Sequence, residues 1–321
     1  MTEHVDQDES VFATDVRRTL PGVPAESEVA LEEGLGEAAE PIPLSQWQLF
    51  YRRFKRHKLA VASLVILILL FVLCYGADWI APYEKGQQDL TPGSENQSPS
   101  WDHLFGTDQL GRDYFSEVLY AGQVSLRIGL TVAILSTFVG TIFGAIAGYF
   151  GGWVDQLIMR TTDLFLIVPA LAVLAVGQQR FGSSASTVSF VLAALLWMAI
   201  ARIVRGQTLA VKEKEFVEAA RAVGASGRRI VLRHILPNCL GPIVVNVTLA
   251  IAVAIIAEST LSFLGFGVGS SWGNLLNNAR GNYDNYVHLL YFPGLAILLT
   301  VLCVNALGDG LRDALDPHAK H

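Results

Sequence analysis

Apolar residues in this chain gather into long runs separated by polar intervals. Six runs are long enough for a membrane-crossing helix, which needs about 20 such residues: 59–77, 124–149, 157–177, 187–204, 240–263 and 287–307. Between them lie a polar tail at 1–44, a basic amphipathic lead-in at 45–58, a loop at 78–123, an insert at 205–237 and a loop at 264–286. The pattern predicts an all-α polytopic membrane protein, with a first span at 59–77 and a five-helix core over 124–321. The first span begins too deep for a cleaved signal peptide and reads as an uncleaved anchor. Gly140, Gly144 and Gly148 recur every four residues along the second span. That spacing lets a neighbouring helix approach closely, unless glycine is there only because it is common in membrane helices. Pro169 lies inside the third span and predicts a kink, suited to gating or to packing.

Charge orients the spans. Arg52, Arg53, Lys55, Arg56 and Lys58 precede the first, with no acid from Pro41 to Lys58. The 78–123 loop holds only Lys85 and Arg112 against eight acids, whereas Arg202 to Arg233 carries eight basic residues against three acids. Basic flanks face the cytoplasm, so both termini and the 205–237 insert are expected inside, and the loops at 78–123 and 264–286 outside. Residues 1–40 hold eleven acids, only Arg17 and Arg18 as bases, and no apolar periodicity. They read as a disordered acidic tail with no assigned function. This tail dilutes the composition to 52% hydrophobic and 16% charged over 321 residues, with a net charge of −6. Cys74, Cys239 and Cys303 lie in or beside apolar runs without zinc-site spacing, so they are expected to act as small hydrophobes, with no metal bound.

The insert carries most of the chemistry. Residues 212–223 are rich in helix formers, and Glu218, Ala219, Ala222 and Val223 can share a face. Small side chains on that face would let a partner groove close around the helix. Gly224 suits a helix stop, Ser226 can cap a second short helix over 227–234, and Pro237 is expected to break the pattern before the next span.

Glu218-Ala219-Ala220, then Gly224 after three further residues, then Leu236-Pro237, resembles the EAA loop of binding-protein-dependent ABC importer permeases. His234 stands where the wider family favours an apolar residue, and histidine there is familiar in the dipeptide and oligopeptide branch. Four further segments resemble the C-type permease subunit of that branch. They are the lead-in from Trp47 to Val61, Phe105-Gly106-Thr107-Asp108-Gln109-Leu110-Gly111-Arg112-Asp113, Glu258 to Gly265 followed by Ser271-Trp272-Gly273-Asn274, and Leu307 to Asp313 followed by Asp316-Pro317. The resemblance covers about 47–318.

The resemblance implies a six-span subunit in a prokaryotic plasma membrane, paired with a homologous permease. It further implies two ABC ATPase subunits that hold ATP and Mg, and an extracytoplasmic substrate-binding protein. Glu218, Ala219, Ala220, Ala222, Val223, Gly224, Leu236 and Pro237 would then form the ATPase-coupling region. Dipeptides or short oligopeptides are the expected cargo, with nickel, glutathione, haem or another small solute as alternatives.

Other residues are candidates on their chemistry alone. Glu258, Arg127 and Asp163 are ionisable at membrane depth, although Glu258 also suits a structural hydrogen bond to another helix. Arg160 and Asp163 can pair along one helix face. Trp272 and Asn274 could touch the binding protein or stabilise their loop. No Gly-Lys pair occurs anywhere, so no phosphate loop exists. Neither a His-Glu-x-x-His pair nor a serine-hydrolase elbow is read from the chain. Catalysis by this chain alone, cofactor binding and nucleic-acid binding are not expected. A secondary transporter remains a lesser alternative, weakened by the lack of a convincing internal repeat.

Overall fold

The computed structural model describes residues 46–281 and 285–315. The tail at 1–44 and the Asp316-Pro317 pair lie outside the described residues. The chain divides into two units, Met1–Leu49 and Phe50–His321; the first is described only where α1 (Gln46–Arg56) opens.

After α1 come α2 (Lys58–Tyr75), the short α3 (Ala77–Ile80) and the long α4 (Tyr114–Phe150). Next are α5 (Gly152–Ile167), α6 (Ala170–Phe181) and α7 (Ala185–Lys212). Then α8 (Glu215–Ala222) and α9 (Gly227–Ile230) lead through a π-turn (Val231–Ile235) into α10 (Leu236–Phe263). Last come α11 (Trp272–Ala279) and α12 (His288–Leu315). Among the described residues, 5 helices are long and apolar enough to cross a membrane, or up to 6 if the bent α5–α6 pair is one span.

Side-chain caps set several helix starts, as backbone donors without intrahelical partners require. Asp113 accepts from the Ser116 N–H at the head of α4, Ser184 from Thr187 at the head of α7, and Ser271 from Asn274 at the head of α11.

Close approach between helices relies on glycine. A β-carbon on Gly140 would stand 2.7 Å from the Trp197 carbonyl oxygen, one on Gly144 2.5 Å from that of Ala201, and one on Gly148 2.7 Å from Thr208 Cβ. The repeat therefore lets α4 and α7 touch backbone to backbone. On the C-terminal helix, Gly308 leaves room for Thr248 of α10, and Gly310 for Ala60 of α2.

Four boundaries differ from expectation. The second span belongs to a helix that starts at Tyr114, because Asp113 caps it well ahead of the apolar run. The fourth continues as helix to Lys212. The third is not one kinked rod. It breaks at Pro169 into α5 and α6, bent by 84°. Proline pushes the residue before it toward extended backbone, and Val168 is extended at φ −74°, ψ 127°. Pro237, in contrast, breaks nothing. Ahead of it the helix widens, and the Leu236 N–H reaches back to the Val231 carbonyl, one residue further than in an α-helix. That register offset fits a residue without an N–H.

Candidate functional site

The insert is a short helix held against the ends of three long ones. α8 ends in two bonds that run back into the helix, Gly224 N–H to the Arg221 carbonyl and Ala225 N–H to the Ala220 carbonyl. Gly224 takes φ +85° there, a left-handed conformation that favours glycine. Ser226 precedes α9 but its side chain makes no capping bond, contrary to expectation. The second helix also runs on past residue 234 into α10.

Helical spacing sorts the α8 side chains into two faces. Val217 points inward and is fully buried with Ile230, Ile235 and Cys239. Tyr149, Val211, Ala220 and Ala225 pack around this small core. Outward, Phe216, Ala219 and Val223 form an exposed apolar row, and Glu215, Glu218 and Ala222 an adjoining row. Val223 is 89% exposed. Of the coupling candidates, Glu218, Ala219, Ala222, Val223, Gly224 and Pro237 lie at the surface. Ala220 is half-buried, because it sits on the Val217 side of the helix. Leu236 is half-buried and packs on the edge of a separate apolar cluster built from α4, α7 and α10.

Two ion pairs tie α5 to α7 beside the insert. Arg205 grips Asp155 with two parallel bonds, Nη2 to Oδ2 at 2.6 Å and Nε to Oδ1 at 2.5 Å. Asp163 pairs across helices with Arg202, 2.5 Å away, rather than along its own helix with Arg160. Because the Arg205 fork is bidentate and partly buried, Arg205→Ala should destabilise the protein by about 1–3 kcal/mol. Arg205→Lys should recover little, since an ammonium cannot make both bonds. Thermal unfolding in detergent micelles would check both variants, and a wild-type midpoint for Arg205→Lys would refute the bidentate argument.

Glu258 sits at the opposite end of α10 and is fully buried. Ser262 donates to its Oε1 at 2.6 Å and Ser125 of α4 to its Oε2 at 3.3 Å. Ser125 in turn accepts the Trp272 backbone N–H, and Ser271 donates to Ser262. The carboxylate therefore ends a chain of hydroxyl donors that joins α4, α10 and α11. Glu258→Leu would leave buried hydroxyls without acceptors, each worth about 1–3 kcal/mol, whereas Glu258→Gln keeps an acceptor. Limited proteolysis across 264–286 should speed up in the leucine variant and change little in the glutamine one. Equal rates in both would show that the hydroxyl chain does not hold this loop.

Trp272 is wholly buried, with its indole N–H on the Val118 carbonyl at 2.9 Å. It anchors α11 and is not available for a contact outside the protein. Asn274 is half-buried on α11 and accepts from Asn278 at 3.3 Å. Arg127 is exposed on α4. Contrary to expectation, Gly269 to Gly273 spell Gly-x-Ser-x-Gly. The setting is wrong for a nucleophile, however: Ser271 is a buried helix cap, not the tip of a strand–turn–helix elbow.

The 105–113 motif is a folded corner at this same end. Phe105 stacks on Phe292 at 3.7 Å, and His103 meets the α4 cap Asp113 at 2.9 Å. Asp108 accepts from the backbone of Leu110 and Arg112 and from the Arg112 guanidinium, which also faces Glu117 at 3.4 Å. Burial alone would lower the Arg112 pKa, but the Asp108 hydrogen bond and the Asp108 and Glu117 charges outweigh it and raise the value. Arg112 thus stays charged and ties the loop to the head of α4.

Sequence reasoning missed Val217, Tyr149 and the Arg205–Asp155 pair. Val217 had a usable signal, as an apolar residue three positions before Ala220. The other two depend on which helices become neighbours.

Among the described residues, five long apolar helices, a broken sixth and a short helix with an exposed apolar row define a polytopic helical membrane protein. The chain belongs to the family described as binding-protein-dependent transport system inner membrane component, which matches residues 140–321. Residues 45–99 match the N-terminal transmembrane domain of oligopeptide transport permease C. It is similar to the glutathione transport system permease protein GsiD of Escherichia coli O157:H7, Shigella boydii and Shigella sonnei. Each is 44% identical over 281 residues, covering 85% of this chain and 91% of the relative. The chain is therefore a C-type permease of an ABC importer of the peptide branch, an inner-membrane protein and not an enzyme.

Proposed function

We propose that this chain forms half of the pathway of an ATP-driven importer of dipeptides or short oligopeptides, and that α8 docks on a separate ATPase subunit. The observation that carries the docking is the exposed row of Phe216, Ala219 and Val223, on a helix rooted through Val217 in a buried core. Leaving such a row in water is unfavourable, and a groove on a partner would cover it. ATP-driven closure of two ATPases, which hold the nucleotide and Mg, would displace α8 and shift the spans between two packed arrangements. A homologous permease completes the pathway, and a binding protein delivers cargo at the Trp272 end. The lysine and arginine bias supports a cytoplasmic location for both termini and the insert.

Similarity to permeases named for glutathione favours a second reading of the cargo. Glutathione is itself a small peptide, so the two readings differ in its γ-glutamyl linkage and its thiol. Purified binding protein, titrated with a panel of dipeptides, tripeptides and reduced glutathione, separates them. Tight binding of glutathione alone would select the second reading. If the permease fails to co-purify with any ATPase subunit, the docking of α8 falls, whichever cargo is bound.

A further inference from the structure

We infer that Tyr149, at the end of α4, is a positioning residue that passes movement of the insert into α4, a helix the insert does not join covalently. The inference rests on the docking of α8 proposed above. α7 and α10 flank the insert in the chain, so displacement reaches them through the backbone. α4 has no such link. Its last turn instead places the Tyr149 ring in a notch at Gly227. A β-carbon on Gly227 would lie 2.9 Å from Tyr149 Cε1, 3.0 Å from Oη and 3.3 Å from Cζ.

Backbone conformation does not explain this glycine. Gly227 is not among the left-handed positions, unlike Gly224, and it opens a helix where most residues are tolerated. The tyrosine ring is the steric reason for it. The ring also packs on the core of Val217, Ile230, Ile235 and Cys239, so α8, α9 and α4 share one close-packed joint. Close-packed interiors transmit displacement with little compression.

What the joint would move is the whole of α4. Gly148, one residue earlier, seats α4 against Thr208 of α7. The helix then runs 37 residues, about 55 Å at the usual rise. At its far end Val118 and Ser125 hold Trp272 of α11. A push at Tyr149 would thus reach the opposite end of the protein along a single rod.

The test is an exchange of volume at the joint, made in the complete complex with the second permease, the ATPases and the binding protein. Gly227→Leu overfills the notch, Tyr149→Ala empties it, and the pair together refills it. Three quantities are read: uptake of reduced glutathione and of Ala-Ala per ATP hydrolysed, the ATP-driven change in distance between spin labels at Leu69→Cys and Ile134→Cys, and cross-linking of Val223→Cys to the ATPase. Each single variant should lower uptake per ATP by ~5-fold or more with the cross-link retained, and the double variant should return to within ~2-fold of the parent. The label distance should follow the same order and needs no solute. If Gly227→Leu does not accumulate, Tyr149→Ala decides alone, since it introduces no clash. Parent-like coupling in Tyr149→Ala, or a double variant no better than Gly227→Leu, would overturn the inference. Absence of the cross-link in the parent would instead remove the docking proposal, and the label distances would still judge the joint.

Discussion

Gly144→Leu is expected to deplete the folded protein from the membrane by ~10-fold or more, the largest stability effect of any single change considered. A β-carbon at this position would meet the Ala201 carbonyl at 2.5 Å, Val204 Cβ at 2.9 Å and the Arg205 amide nitrogen at 3.1 Å. Two of these neighbours are backbone and cannot rotate away, so α4 and α7 must separate along their length. Ordinary overpacking costs about 1–3 kcal/mol. Here the loss also includes contacts at Gly140 and Gly148, which depend on the same spacing. With total stabilities of about 5–15 kcal/mol, that is enough to shift the population. Gly206→Ala is the control. Gly206 lies on the same α7 with nothing within 4 Å, and alanine is the better helix former. Quantifying monodisperse protein in detergent extracts would check the pair. Equal recovery of Gly144→Leu and the parent would refute the close-approach account.

Gly224→Trp is expected to leave the permease in the membrane while cutting solute uptake per ATP by ~10-fold or more, because it alters the docking surface and not the chain's own packing. No atom lies within 4 Å of a β-carbon placed on Gly224, so the indole would project away from this chain. Its backbone at φ +85° penalises any side chain, by about 1–2 kcal/mol. Gly224→Ala carries that penalty without the bulk. If alanine couples like the parent and tryptophan does not, strain is excluded and a partner surface is implicated. Glu218→Lys provides a second line, inverting a charge beside the Phe216–Ala219–Val223 row without touching the Val217 core. Parent-like transport in Gly224→Trp, measured in reconstituted vesicles, would remove the docking role from the insert.

Much of this was readable from the linear chain because it depends on local composition. A long apolar run needs no partner to be recognised as a span, and Gly224 announces a helix stop by its own conformational freedom. The exposed face of α8 was also visible, in the spacing of Glu218, Ala219, Ala222 and Val223. Pro169 was recognised as a disruption, but a kink and an 84° break differ only in what lies around Val168. Pro237 shows the reverse: the same chemistry is absorbed by a π-turn when the helix is held on both sides.

Long-range neighbours were not readable. Asp163 has Arg160 three residues away, yet binds Arg202 on another helix. Trp272 falls in a polar interval of the sequence, yet it opens α11 and is fully buried, with Ser125 and Val118 of α4 supplying acceptors for its two N–H groups. Ala220 belongs to the motif but faces the interior, since its side of α8 is the side that Val217 buries.

Taken alone, the order of residues established the helical membrane class, the charge asymmetry along the chain, and the place of the insert between two spans. These follow from transfer of apolar groups out of water and from local backbone preference, which act over a few neighbouring residues. Packing in three dimensions settled which glycines are contact surfaces, which acids are paired, and that α4 meets the insert at Tyr149. Those outcomes depend on residues far apart in the chain arriving within van der Waals distance, and no local pattern encodes that arrival.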